Sequence, residues 1–347
     1  MLSVKTGSFR ILKNNSALPM SVMAAIQSVR VEQEINVPTM FSFTLNSVAS
    51  GGGWQDINLD LFKPGDQITV FLGLDMTQQM VNGEITAIEP HFGEYSSVTI
   101  HGFDRLYRLQ FGTRSRTYRD MNDSEIVAQL ARSAGLTVRP EGNPGLRVGY
   151  VLQNNLSDYD FLLGRCEQLN YELQMDDTTL VFRPSAAGAS ATKSLNYPDD
   201  AGEISLILRL PTMGQEVSVK GYDVTSNRVL TATVSSGTAQ GKMGGKQSGY
   251  QLAQDFPTSA MQLERPNIDT PEALQQVAAA QYQRHLNQFI EGRTSVLGDP
   301  GLVAGVNVKL SGLSPRFNGI YYITASVHRY DVNDGYRTDL KLRRSGI

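Results

Sequence analysis

The sequence predicts a mainly β (α+β) protein: two barrel-like β domains related by internal duplication, with a small α/β domain between them. Three observations predict it. The composition is strand-like, with 32 glycines, 14 tyrosines and 13 phenylalanines in 347 residues, a mix suited to strands joined by turns. Apolar residues alternate with period 2 in the first and last thirds but recur at helical spacing in the middle. The features of the first third also return, in order, in the last.

The first segment, 1–118, opens with Val29, Val31 and Ile35, then Phe41, Phe43 and Leu45 with polar residues between them, the pattern of half-buried strands. Ser50-Gly51-Gly52-Gly53 reads as a loop, and Trp54 after it as either an anchor for that loop or a subunit contact. Pro64-Gly65-Asp66 reads as a turn before Ile68, Val70 and Leu72. Asn82-Gly83 gives the strongest short hairpin signal, because both residues accept positive φ.

The second segment, 119–200, changes period. Asn122 and Glu125 form a capping box for a helix carrying Ile126, Val127, Leu130 and Ala131, closed by Gly135. A second helix starts at Ser157 and places Phe161, Leu162, Cys166 and Leu169 on one stripe. A hairpin follows, turning at Asp176-Asp177. Ser185 to Ser194, rich in Ala, Ser and Gly, reads as a linker or exposed loop.

The third segment, 201–347, returns to strands over Ile204–Leu210, Glu216–Tyr222 and Val229–Val234. Ser235 to Gly249 reads as the least ordered stretch. Thr270 and Pro271 open a helix running toward Phe289, with proline at the first position where its missing N–H costs nothing. Strands resume from Thr294 to Leu342.

The repeat joins the outer segments. The first copy has Gly65, then Ile68, Val70, Leu72, Asn82-Gly83, Thr86-Ala87, His91 and Tyr95. The last has Gly305, then Val306, Val308, Leu310, Asn318-Gly319, Thr324-Ala325, His328 and Tyr336. A trimer of a chain with two such modules presents six modules in a ring, which matches a sixfold object on one face and a threefold object on the other.

Charge and motif content narrow the chemistry. Net charge is −3, against the basic balance of a nucleic-acid binder. One cysteine, Cys166, makes neither an internal disulfide nor a multi-cysteine zinc site, and its helical position reads as packing. No apolar run approaches the ~20 residues of a bilayer span, and the polar start of the chain does not read as a signal peptide. His91, His101, His285 and His328 form no metal-binding motif, so no cofactor or metal is expected, and His91 and His328 read as strand-surface residues. His101 and Asp104 with Ser96 or Ser97 lack a nucleophile elbow. Gly241 to Lys246 fails the phosphate-loop pattern because Gln247 follows the lysine, and reads as a tether whose Lys242 and Lys246 order against a partner ring. Asp56, Asp60, Asp75, Asp176 and Asp177 lack a calcium-loop arrangement and read as turn and surface residues. Arg105, Arg108, Arg114, Arg116 and Arg119 read either as a solvated edge or as a patch facing another subunit or a tube.

Phe62-Lys-Pro-Gly65-Asp66 with Asn82-Gly83-Glu84-Ile85, Ser157-Asp-Tyr-Asp-Phe161-Leu162 through Cys166-Glu167, and Gly301-Leu-Val-Ala-Gly305 with Phe317-Asn-Gly319-Ile-Tyr-Tyr322 carry a resemblance over nearly the whole chain. In their order it resembles the late control D protein family, hub proteins of contractile tails related to the hub part of type VI secretion spike proteins. The resemblance implies a homotrimer in a baseplate and no enzyme activity. It implies a tail tube protein ring above and a membrane-piercing spike below, with baseplate wedge and tape measure proteins as further partners. DNA or cargo is expected only in transit through the lumen. The chain ends at Ile347 after the second barrel, so the spike is expected to be a separate protein. The rival readings are a tail-associated carbohydrate- or receptor-binding module, which needs an exposed aromatic platform, and a tail-attached peptidoglycan hydrolase.

Overall fold

The structure is a computed structural model describing residues 7–46, 59–93, 96–142 and 146–347. The glycine run Gly51–Gly53 with Ser50, Trp54, Asp56 and Tyr95 lies outside the described residues. The chain is mainly β, as expected. In the first barrel-like unit the strands are β1 (Gly7–Lys13), β2 (Ser16–Ala17), β3 (Ile26–Glu34), β4 (Val37–Asn46), β5 (Gln67–Leu74), β6 (Met76–His91) and β7 (Ser97–Asp104), with a short helix α1 (Met20–Ala25). Alternation puts Val29, Val31, Phe41, Phe43, Ile68, Val70 and Leu72 in one core, each at most 1% exposed.

The small α/β unit holds β8 (Arg114–Met121), α2 (Asp123–Ser133), β9 (Thr137–Pro140), β10 (Val148–Leu156), α3 (Asp158–Leu169), β11 (Tyr171–Asp176) and β12 (Thr179–Pro184). Its local signals act as expected. Asn122 Oδ1 accepts from Glu125 N at 2.9 Å while Glu125 Oε2 accepts from Asn122 N at 3.0 Å. Ser157 caps α3, Gly135 has φ +72° after α2, and Asp177 at φ +54° turns the β11–β12 hairpin.

The last segment holds β13 (Lys193–Asn196), β14 (Ile204–Leu208), β15 (Glu216–Asp223), β16 (Arg228–Val234), α4 (Gly249–Leu252), β17 (Ala260–Glu264), α5 (Pro271–Leu286), β18 (Ile290–Leu297), β19 (Asn307–Ser311), β20 (Gly319–Asp331) and β21 (Gly335–Arg344). Two readings change here. β15, β16 and β17 do not enter the second barrel; they form their own three-stranded sheet, whose Val217 and Val219 pack on Leu274 and Ala278 of α5. The stretch Ser235–Gly249, read as poorly ordered, is built into the fold: Lys246 and Gln247 donate to the Ile347 carbonyl at 2.7 and 2.9 Å, and Met243 is 1% exposed.

The duplication is visible in strand order. The first unit runs β3-β4-β7-β6-β5-β1 and the second β14-β18-β21-β20-β19-β13. Gly65 N donates to Ile85 O at 2.8 Å, and Gly305 N donates to Ile323 O at 2.9 Å. Both glycines have φ near +90°, where a Cβ is strained. Each barrel then has a bulge, between Ile85 and Ala87 and between Ile323 and Ala325. This geometry corrects the sequence register by two: Ile68 corresponds to Val308, since Ile68 pairs with Gly83 and Val308 with Tyr321. The copies also differ, because β1 pairs antiparallel to β5 whereas β13 pairs parallel to β19.

The Asn-Gly signatures are not equivalent turns. Asn82-Gly83 lies inside β6, and the β5–β6 hairpin turns at Asp75, φ +62°. Gly83 is needed for close approach: a Cβ there would stand 2.3 Å from the Phe103 carbonyl oxygen and 2.9 Å from the Phe41 ring. Asn318 instead closes the loop before β20 by accepting from Leu313 N at 2.9 Å.

Candidate functional site

The two barrels fuse through one antiparallel pair, β3 with β20, from Ala325 opposite Glu34 to Asp331 opposite Ser28. The seam makes the sheet continuous from β14 to β1. Tyr336 of β21 inserts into the core of the first barrel, which locks the two together. A cavity of about 730 Å³ lies against this seam, between the Val37, Pro38, Met40 and Phe103 side and the Glu203, Arg293 and Lys341 side. Glu32, Glu34 and Asp339 with Arg293 and Lys341 line it with mixed charge, and several of these pair with each other or with neighbours. Arg30 pairs with Glu32 at 2.6 Å, Arg329 with Asp339 at 2.9 Å and Lys341 with Glu34 at 3.8 Å. Such exposed pairs each contribute about 0–1 kcal/mol, so this face presents charge more than it stabilises the fold.

A second, polar cavity of about 290 Å³ lies where both barrels meet the α/β unit. Asn82 Nδ2 donates to Asp177 Oδ1 at 2.6 Å, and Asn82 Oδ1 accepts from Gln67 Nε2 at 2.8 Å. Asn36, at φ +64° in the β3–β4 turn, accepts from Tyr159 Oη and Leu173 N, each at 2.7 Å. Glu172, 4% exposed, accepts from Tyr322 Oη at 2.6 and 2.7 Å and faces Arg183 at 3.7 Å. Arg343 covers the Tyr322 ring at 5.0 Å. Composition gave no sign of this joint. Its residues carry no signal in the chain either: alternation puts Tyr171 and Leu173 of β11 in the core and reads Glu172 as outward, yet Glu172 is buried against Tyr322.

The structure separates the other residues singled out in the sequence. His101 Nε2 lies 3.2 Å from Glu89 Oε2, not on Asp104. Asp104 is buried and accepts from Thr39 N and Leu106 N, each at 2.9 Å; burial pushes its carboxyl up to about 6 despite those bonds. Ser96 Oγ donates to Gly93 O at 2.9 Å. His91 is exposed at the end of β6, as read. His328 is not on the surface: it is fully buried, with Nδ1 2.8 Å from Tyr336 Oη and 3.2 Å from Thr338 Oγ1. Burial lowers its pKa to about 4. The reason is packing on its face, where Tyr336 and Thr338 of β21 and the Leu302 backbone close over the ring.

The arginine cluster divides. Arg105 and Arg108 meet Glu84, Arg108 Nε at 3.0 Å, while Arg114 and Arg116 stand 3.9 and 3.8 Å from the buried Asp158 carboxylate. Cys166 is 1% exposed, and burial pushes its thiol well up. Tyr321 and Tyr322 are fully buried and present no platform. Among the described residues no group of three or more His, Cys, Asp or Glu side chains is placed to hold a metal ion, and no helix is long and apolar enough to cross a membrane.

The model of the Alg8 N-terminal domain family matches residues 3–331. The chain belongs to the Alg8 N-terminal domain family. No curated protein matches it. Among solved structures it is similar to the 43 kDa tail protein of prophage MuSo2 from Shewanella oneidensis, with TM-score 0.71, 12% identity and 98% of each chain covered. It is similar to a tail protein from Neisseria meningitidis MC58, with TM-score 0.70, 11% identity, and 98% of this chain and 97% of that one covered. It also resembles the E. coli c3393 protein, described as a component of the type VI secretion system with structural similarity to T4 tail proteins gp27 and gp5; the TM-score is 0.61, identity 10%, and coverage 97% and 77%. At these identities the likeness is one of fold. The resemblance to tail and type VI spike proteins seen in the sequence holds at that level.

Proposed function

We propose that this Alg8 N-terminal domain chain is a non-enzymatic hub subunit of the late control D type, in the baseplate of a contractile phage tail or related injection system. In this reading three chains form a pseudo-sixfold ring that joins a sixfold tail tube to a threefold spike. A tube protein ring and a spike protein are its direct partners, with baseplate wedge and tape measure proteins around it, and DNA or cargo passes only through the lumen. The observation that carries the reading is the duplication: two barrels of the same strand order in one chain, already joined edge to edge. The tail-protein fold likeness supports it. The working division is 1–118 and 201–347 as tube modules and 119–200 as a small α/β insertion, with β13 at the end of the insertion joining the second barrel and β15–β17 with α5 standing outside it.

The test is mass by light scattering, alone and with purified tube and spike proteins. A trimer in either condition is expected. A chain that stays monomeric with both partners present refutes the ring.

A further inference from the structure

The internal joint uses two edges, and each barrel owns both kinds. β3 offers one edge and β20 the other, and they meet inside the chain. Their counterparts, β14 and the far half of β6, each have only one strand neighbour among the described residues. β14 pairs with β18 alone. Beyond Glu84, where its pairing with β5 stops, β6 pairs with β7 alone. Residues 87 and 89–91 of that half are exposed, and Ile207 of β14 is 45% exposed. We propose that β14 of one chain pairs antiparallel with the Ala87–His91 edge of β6 in a second copy, repeating the β3–β20 joint between subunits. This rests on the ring reading above and specifies its contact.

The duplication fixes the register. Arg30 pairs with Ser42, Ser42 with His101, and His101 with Ala87. In the other barrel Ser205 pairs with Arg293, Arg293 with Lys341, and Lys341 with Ala325. Ser205 is therefore the counterpart of Arg30, and Ala87 that of Ala325. Within the chain Arg30 faces Arg329, four residues past Ala325. Between chains Ser205 faces His91, four residues past Ala87. Glu89 then faces Ile207 and lies diagonal to Arg209, within reach across neighbouring strands.

One position departs from the template. Val332 N donates to Gln27 O and Ile35 N to Thr324 O, so His328 and Val31 occupy a hydrogen-bonded position of the joint. Pro90 is the counterpart of His328 and has no N–H, so the intersubunit ladder has one bond fewer. A proline on an exposed edge also resists pairing with unrelated strands. The contact is head-to-tail, so it closes into a ring only if the rotation per chain permits it.

The experiment is a cysteine cross-link. His91 and Ser205 are both exposed and fall at a non-hydrogen-bonded position, where Cα atoms approach to about 4.5 Å, within disulfide range. The His91→Cys/Ser205→Cys double variant is oxidised and run without reductant, beside Pro90→Cys/Ser205→Cys, whose side chains point to opposite faces. Buried Cys166 is common to both. A covalent trimer from the first variant and none from the second is expected. A trimer by light scattering with no cross-link, or with equal cross-linking of both variants, overturns the strand pairing and leaves the ring. A monomer that does not cross-link, even with tube and spike proteins, overturns both.

Discussion

Replacing Glu172 by glutamine tests the joint between the α/β unit and the second barrel. The carboxylate is 4% exposed, has both oxygens within 2.7 Å of the single Tyr322 hydroxyl donor and stands 3.7 Å from Arg183. Removing the charge weakens a charge-assisted bond and leaves two guanidinium groups, those of Arg183 and Arg343, without their counter-charge. In each of these arginines Nε is shut off from solvent and has no hydrogen-bond partner. Breaking a fully buried pair costs about 3–5 kcal/mol. Arg183 keeps 23% side-chain exposure, so screening reduces this, and Glu172→Gln is expected to cost about 2–3 kcal/mol. Tyr322→Phe, which loses only the bond, is expected to cost about 1.5–3 kcal/mol. The control is Glu167→Gln, whose ion pair with Arg284 is 3.1 Å long with both side chains 43% exposed or more; it is expected to cost under about 1 kcal/mol. Urea unfolding with hydrogen exchange gives both the magnitude and the place. If Glu172→Gln unfolds at the same midpoint as Glu167→Gln, the carboxylate does not hold the joint.

Two further outcomes are expected. His328 at about 4, against an ordinary 6.5, takes up its proton later in the folded state, so its contribution is lost as pH falls from about 6.5 to 4. Asp104 at about 6, against 3.8, has the opposite sign: its contribution is lost as pH rises from about 4 through 6. Each gap corresponds to about 3 kcal/mol, so the two nearly cancel, and the variants separate them. Asp104→Asn is expected to lose stability between pH 7 and 4 and His328→Gln to gain it; identical slopes in urea titrations would contradict the assignment. Gly83→Ala is expected to cost about 1–3 kcal/mol by overpacking against the Phe103 carbonyl and Phe41 ring. Asp75→Gly, at the actual turn, is expected to be neutral or better, and the reverse ranking in thermal melts would restore the hairpin at Asn82-Gly83.

The sequence by itself determined what is local. Alternation placed Val29, Phe41, Ile68 and Leu72 in one core, and helical spacing with Asn122, Ser157 and Pro271 placed the three longest helices, because caps and periods act within a few residues. The duplication was legible too, since the glycines at 65 and 305 recur for a backbone reason. What only the tertiary structure decided is which strands are neighbours. Asn82-Gly83 has the chemistry of a turn, yet Gly83 serves a close approach to Phe103 and Phe41, which belong to other strands. His328 reads as a surface residue and is buried because Tyr336, Thr338 and the Leu302 backbone close over its ring, a packing that alternation does not specify. Strand pairing joins residues far apart in the chain, and alternation specifies a face but not the partner at the edge. The same fact gives β14 and the far half of β6 a single strand neighbour each among the described residues.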